Sequence, residues 1–128
     1  MRHFFIEKII MAHIKQDKPW VVPTTDGKLI EEHFGLTCNK DSAISIAHML
    51  APAGWSEPFQ TPSFDEYTLI SRGKKLFEVD GETVTVSAGQ SILIKAGSRV
   101  RYSNPFTEEC EYCSVCVPPF SMSSVNRE

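Results

Sequence analysis

An all-β fold, closed into a sandwich, barrel or jelly roll, is what this 128-residue sequence predicts. Three observations carry that expectation. From Ala43 onward, short segments with apolar residues at every second position follow one another at an even spacing. Glycine, proline and aspartate punctuate every join between them. Asp80-Gly81 sits between two such segments, a strong signal for a two-residue hairpin turn. A barrel or jelly roll also hides strand edges that a lone sheet of this size would leave open.

The elements follow in chain order. Residues 19–36 read as extended chain and loops: "WVVP" is stopped by Pro23 and "TTDG" is turn text. "GKLIEEHFG" reads as one or two helical turns. "AISIAHML" alternates, with Ile44, Ile46, His48 and Leu50 on one face, and "APAG" ends it. "EYTLIS" is the next strand. "KKLFEV" and "ETVTV" flank the hairpin turn. "QSILIK" and "SRVRYSN" are strands closed by Ala96-Gly97 and Pro105. "CEYCSVCV" is the last, ended by Pro118-Pro119.

Length fits one domain, and apolar (41 %) and charged (23 %) fractions are those of an ordinary globular chain able to bury a core. Net charge is −3, which gives no sign of a nucleic-acid surface. No apolar run reaches the ~20 residues of a membrane helix. "MRHFFIEKIIMAHIKQ" is a poor secretion signal, because Glu7 and Lys8 interrupt its apolar part. A cytoplasmic location is therefore expected, with Cys38, Cys110, Cys113 and Cys116 as free thiols. Residues 1–18 are expected as an N-terminal arm and 19–128 as the barrel. Met11 offers a second plausible start.

Two sets of spacings bear on function. Gly54, Gln60, Pro62, Glu66 and Gly73 form the first; Gly89, Lys95, Gly97, Val100 and Asn104 form the second. Together they resemble the two cupin motifs, G-x5-H-x-H-x3-E-x6-G and G-x5-P-x-G-x2-H-x3-N, over about residues 40–119. The resemblance implies a cupin β-barrel, a jelly roll of the double-stranded β-helix type. "DEYTLISRGKKLFEVDGETVTVSAGQSILIKAGSRVRYSNP" and "CVPPFS" are most similar to small single-domain bacterial cupins of the RmlC-like group, and loosely to the ethanolamine-utilisation cupins. Small cupins often dimerise, so a homodimer is expected, with the apolar arm (Phe4, Phe5, Ile6, Ile9, Ile10) covered by the partner.

The departures bear on chemistry. The family's metal is held by three histidines and a glutamate, but the histidine positions here read Gln60, Pro62 and Val100. Valine and proline side chains offer no lone pair, and one carboxylate with one amide is a poor transition-metal site. The expectation is no cofactor, or at most a weakly held divalent metal. By the family's geometry Glu66 faces the interior with Gln60, Thr68, Val100 and Tyr102. It is either a satisfied buried carboxylate or the candidate catalytic acid or base of a small-molecule pocket. Candidate ligand-binding residues are Gln60, Glu66, Thr68 and Tyr102, with His48 if its strand turns it inward. "CEYCSVC" has the spacing of a metal site. On a strand, however, Cys110 and Cys116 share a face that Cys113 does not. Arg99 and Arg101 should point outward if Val100 points in. Two functions stay open: a binder of a small polar molecule in the barrel interior, and a metal-dependent isomerase, lyase or dioxygenase using Glu66 with atypical ligands.

Overall fold

The computed structural model describes residues 12–128. Residues 1–11, most of the expected arm with Phe4, Phe5, Ile6, Ile9 and Ile10, lie outside the described residues. Among the described residues nine strands form two antiparallel sheets. β1 (Trp20–Val21), β2 (Leu29–Phe34), β3 (Ser45–Ala51), β4 (Asp65–Arg72), β7 (Ser91–Ile94) and β9 (Cys110–Val117) make a six-stranded sheet in the order β1-β2-β3-β9-β4-β7. β5 (Lys74–Val79), β6 (Glu82–Ser87) and β8 (Val100–Ser103) make a three-stranded sheet in the order β6-β5-β8. An isolated bridge from Gln60 to Val100 extends the smaller sheet. The expected all-β jelly roll is the fold found. Among the described residues no helix is long and apolar enough to cross a membrane.

The hairpin lies where Asp80-Gly81 places it. Val79 pairs with Glu82, and both turn residues have positive φ, 47° and 87°. That is the pattern of a type I′ turn, which matches the twist of the flanking strands. Gly73 has a different reason to be glycine. Its φ is +78°, and a Cβ there would lie 2.5 Å from the carbonyl oxygen of Glu109. The chain passes too close to β9 for any side chain.

Inward positions follow the two-residue period. Ile70, Phe77, Val86, Ile94, Val100, Tyr102, Cys110 and Tyr112 are buried against Trp55 and Ala51. A smaller cluster joins Phe64, Cys116 and Val125, with Phe120 against it. Asn104, the last position of the second motif, is fully buried. Its Nδ2 donates to the carbonyls of Ala51, Pro52 and Glu108 at 2.8–3.2 Å, tying two loops together.

Two expectations are corrected. "GKLIEEHFG" is not helical but supplies β2, whose residues pair with β3 from Leu29↔Leu50 to Phe34↔Ile46. Cross-strand pairing overrides a weak local helical pattern. The face of β3 carrying Ile46, His48 and Leu50 is the outer one; Ser45, Ala47 and Ala51 are the buried residues. Apolar alternation there marks a half-covered outer surface, while the small Ser45 and Ala47 on the inner face leave space between the sheets.

On that outer face His48 bridges two carboxylates. Nδ1 lies 2.8 Å from Glu31 and Nε2 lies 2.6 Å from Glu111, which Arg72 also approaches at 3.5 Å. The hydrogen bond to Glu31, and then that to Glu111, hold the imidazole's pKa above 6.5. A raised histidine pKa stabilises the fold fully below the unfolded value of about 6.5, and the contribution is lost as pH rises through the folded value. The side chain is about one-third exposed (34 %), so screening reduces the effect. Chemical denaturation across pH 5.5–8.5 should show stability declining through this window by about 1 kcal/mol or less, and a flatter profile in His48→Gln. An unchanged slope would remove the bridge from the account. Gly73→Ala should cost about 1–3 kcal/mol in the same assay, since both the positive φ and the Glu109 carbonyl resist the methyl group.

Candidate functional site

The two sheets enclose a cavity of about 100 Å³. Taking one water-sized group as ~10–15 Å³ on this measure, it has room for several heavy atoms. Met49, Phe64, Ile30 and Phe120 give it apolar wall. Glu66, Gln60, Tyr102, Ser114, Lys28 and Lys75 bring polar groups to it, with Glu32, Glu57 and Arg127.

Glu66 sits on β4, which pairs with β9 at Glu66↔Cys116 and Thr68↔Ser114. The tyrosine hydroxyl of Tyr102, on β8 of the other sheet, donates to Glu66 Oε1 at 2.5 Å. The Ser114 hydroxyl donates to Oε2. Both carboxylate oxygens are thus held as acceptors, from opposite sheets. Burial, and next the charge of Glu66, push the pKa of Tyr102 well above 10, so its phenol stays a donor. Gln60 Oε1 accepts a 3.4 Å hydrogen bond from Arg127, which also lies 3.8 Å from Glu57. Glu32 is spent on the chain itself, accepting from the Cys38 amide at 2.8 Å.

Sequence reasoning missed the cavity's cations. Lys75 is only 2 % exposed and Lys28 only 8 %. Neither amine makes a hydrogen bond or ion pair among the described residues. Lys75 Nζ lies instead among rings, 3.7 Å from the centroid of Tyr112, 4.6 Å from Tyr102 and 5.1 Å from Phe77. Lys28 Nζ sits 4.5 Å over Trp55 and 5.7 Å from Tyr112. Desolvation, and then the nearby charge of Lys28, push the Lys75 pKa down to about 7. The Tyr112 hydroxyl is buried without a partner among the described residues.

The structure thus brings Gln60, Glu66 and Tyr102 together at the cavity. Thr68 is buried on the same inward face of β4 but does not line it. His48, considered for the pocket, lies on the opposite face of β3 with its two glutamates. The reason is parity: Ala47 and Met49 take the inward positions. Cys110 and Cys116 are buried and Cys113 is half-exposed on the other side of β9. Arg99 and Arg101 face out, paired with Glu128 and Glu78.

The positions at which cupins hold a metal do not suit one here. Val100 is fully buried in the core, Pro62 offers no donor, and Glu66 is engaged by Tyr102 and Ser114. Cys116 lines the cavity, and burial, then Glu66, raise its thiol pKa to about 12. Among the described residues no group of three or more His, Cys, Asp or Glu side chains is placed to hold an ion.

Residues 47–117 match the family model described as "Cupin domain", and the chain belongs to that family. A curated relative, Endoribonuclease YbeY of Myxococcus xanthus, is 41% identical over 107 residues, which are 84% of this chain and 36% of that protein. The chain therefore spans about a third of that relative's length. Among solved structures, the EutQ protein of Clostridium difficile superposes with TM-score 0.61 at 22% identity, over 72% of this chain and 63% of that one. An RmlC-like cupin from Shewanella frigidimarina gives 0.68 at 11%, over 83% and 90%. A variant of Streptomyces PAC13 with uridine gives 0.71 at 13%, over 91% and 89%. At these identities the structural likeness speaks for the fold.

Glu66→Gln replaces one acceptor oxygen by a donor facing another donor. It should cost about 1–3 kcal/mol in urea denaturation. Paired with Tyr102→Phe in a double-mutant cycle, it should show a coupling of at least about 0.5 kcal/mol. Additive effects would mean that the carboxylate does not link the sheets.

Proposed function

We propose that this small cupin-domain protein binds a small polar molecule bearing an anionic group, a carboxylate for preference, in the barrel interior and without a tightly bound metal. The observation that carries this reading is the pair of buried ammonium groups, Lys28 and Lys75, without carboxylate partners among the described residues. Each carboxylate on the wall with an assigned contact is already engaged: Glu66 by Tyr102 and Ser114, Glu32 by Cys38, Glu57 by Arg127. A buried charge without a partner is costly, and an anionic ligand supplies one. Arg127 and Gln60 stand at the same cavity as further donors, and Glu66 as the group that receives or returns a proton.

Small carboxylates such as lactate should raise the melting temperature in proportion to RT ln(1 + [L]/Kd), about 2.7 kcal/mol at a hundredfold excess over Kd. Lys28→Met should weaken the response at least tenfold in Kd. Elemental analysis of freshly purified protein should give well under one equivalent of iron, manganese, zinc or nickel. One equivalent that disappears in Glu66→Gln would replace this reading with the metal-dependent enzyme. A carboxylate series without any thermal response would also overturn it.

A further inference from the structure

We propose that Lys75 is an amine nucleophile that forms an imine with a small carbonyl compound, a 2-oxo carboxylate, bound in the barrel. The inference rests on the anion-binding reading above and goes further by naming the reactive group and the class of substrate.

Geometry supplies the argument. Lys75 and Phe77 are the inward-facing residues at the start of β5, so the side chain runs into the enclosed cavity rather than to solvent. Its amine has no carboxylate or carbonyl partner among the described residues, which leaves the nitrogen lone pair uncommitted once the proton is gone. Tyr112, Tyr102 and Phe77 surround it, and the residue is only 2 % exposed. Lys28 stands against two of the same rings, Trp55 and Tyr112, and its charge opposes a second cation nearby. Desolvation plus a neighbouring cation is the established way to make a lysine nucleophilic near neutral pH. Both act here in the direction of the neutral amine, the charges of Glu66 and Glu57 and the Cys110 thiol oppose them, and the balance puts the pKa at about 7. Lys28 then serves a second purpose, since its ammonium complements the substrate carboxylate and orients the adjacent carbonyl. The other buried nucleophile at the cavity, Cys116, stays protonated.

The chemistry balances without a further reactant. The Nζ lone pair attacks the carbonyl carbon, and the C=O π pair moves to oxygen, which takes up the proton lost by nitrogen. The resulting carbinolamine breaks its C–O bond, releasing water as the C=N bond forms. Glu66, the carboxylate that shares the cavity with Lys75 and whose charge the amine feels, carries these protons between nitrogen and oxygen.

The test is reductive trapping of the full chain with pyruvate and sodium cyanoborohydride, which delivers hydride to the imine carbon. Intact mass should rise by one reduced pyruvate unit per chain, and peptide mapping should place it on Lys75. The rate should be half-maximal near pH 7 in the wild type, and this midpoint should move to higher pH in Lys28→Met at saturating pyruvate. Lys75→Met, an apolar replacement of a buried cation that should fold, should lose the adduct. Lactate, which carries the carboxylate but no carbonyl, should slow trapping. Lactate binding without an adduct on Lys75 overturns the imine and leaves the anion reading standing; failure of both overturns both. Labelling spread over exposed lysines such as Lys74 and Lys95 also overturns it.

Discussion

A barrel closed on itself must satisfy every polar group it turns inward, because little water shares the space. Here that constraint is met by Glu66. Its carboxylate accepts one hydrogen bond from Tyr102 on the smaller sheet and one from Ser114 on the larger. The contact is therefore a polar cross-tie between two sheets whose remaining interior is mostly apolar. Each member satisfies another: the phenol and the hydroxyl would be orphaned donors without the carboxylate, and the carboxylate would be an orphaned charge without them. A half-satisfied network would be worse than none.

The two lysines pose the opposite problem. Transferring an ammonium to the interior costs several kcal/mol even after relaxation. Cation–π contact returns about 0.5–2 kcal/mol, and the rings around Lys75 share one nitrogen, so their contributions do not simply add. The rings cannot outweigh desolvation, and the charge of Lys28 adds to the deficit. The charges of Glu66 and Glu57 offset part of that deficit, and what remains lowers the Lys75 pKa to about 7, where ammonium and amine are comparably populated. Lys28 keeps slightly more contact with solvent, 8 % against 2 %. The deeper burial of Lys75, with the charge of Lys28 beside it, makes Lys75 the amine that exchanges its proton near neutral pH.

Much of this fold was legible in the residues. Alternation located β3 to β9, the Asp80-Gly81 dipeptide located the hairpin, and the motif glycines with Asn104 located the family's turns. The kept Glu66 and the substituted Gln60 and Val100 were correctly put on the inside. Failures came where local pattern and tertiary context disagree. β2 carries Glu31, Glu32 and His33, which suit a helix, and only pairing with β3 makes it a strand. His48 sits in the more apolar register of its strand, yet the inward register belongs to Ser45, Ala47 and Met49, which line the cavity. Lys75 had a usable signal. In "KKLFEV" it shares its parity with Phe77 and Val79, so the face that buries Phe77 buries the lysine too. A lysine doublet by itself marks solvated surface, so the signal lies in the parity alone. Lys28 had no such signal, since it follows the Asp26-Gly27 turn just before β2 begins.

The substitutions and the buried amines belong to one account of charge. In the family pattern, a glutamate at this position faces a metal held by three imidazoles. Here the imidazoles are replaced by an amide, a proline ring and an isopropyl group, and the carboxylate remains. A lone inward carboxylate in such a barrel would be expensive, and simple loss of the metal would leave one. In this chain the positive charge has been supplied from other strands, by Lys75 on β5 and by Lys28 at the entry to β2. The carboxylate still works beside a cation, but a tethered one that can give up its proton. A metal polarises a carbonyl by drawing on its oxygen; an amine activates the same carbonyl by bonding to its carbon. The retained scaffold thus carries a different set of inward groups from the one its family pattern describes, with two buried lysines beside the kept glutamate.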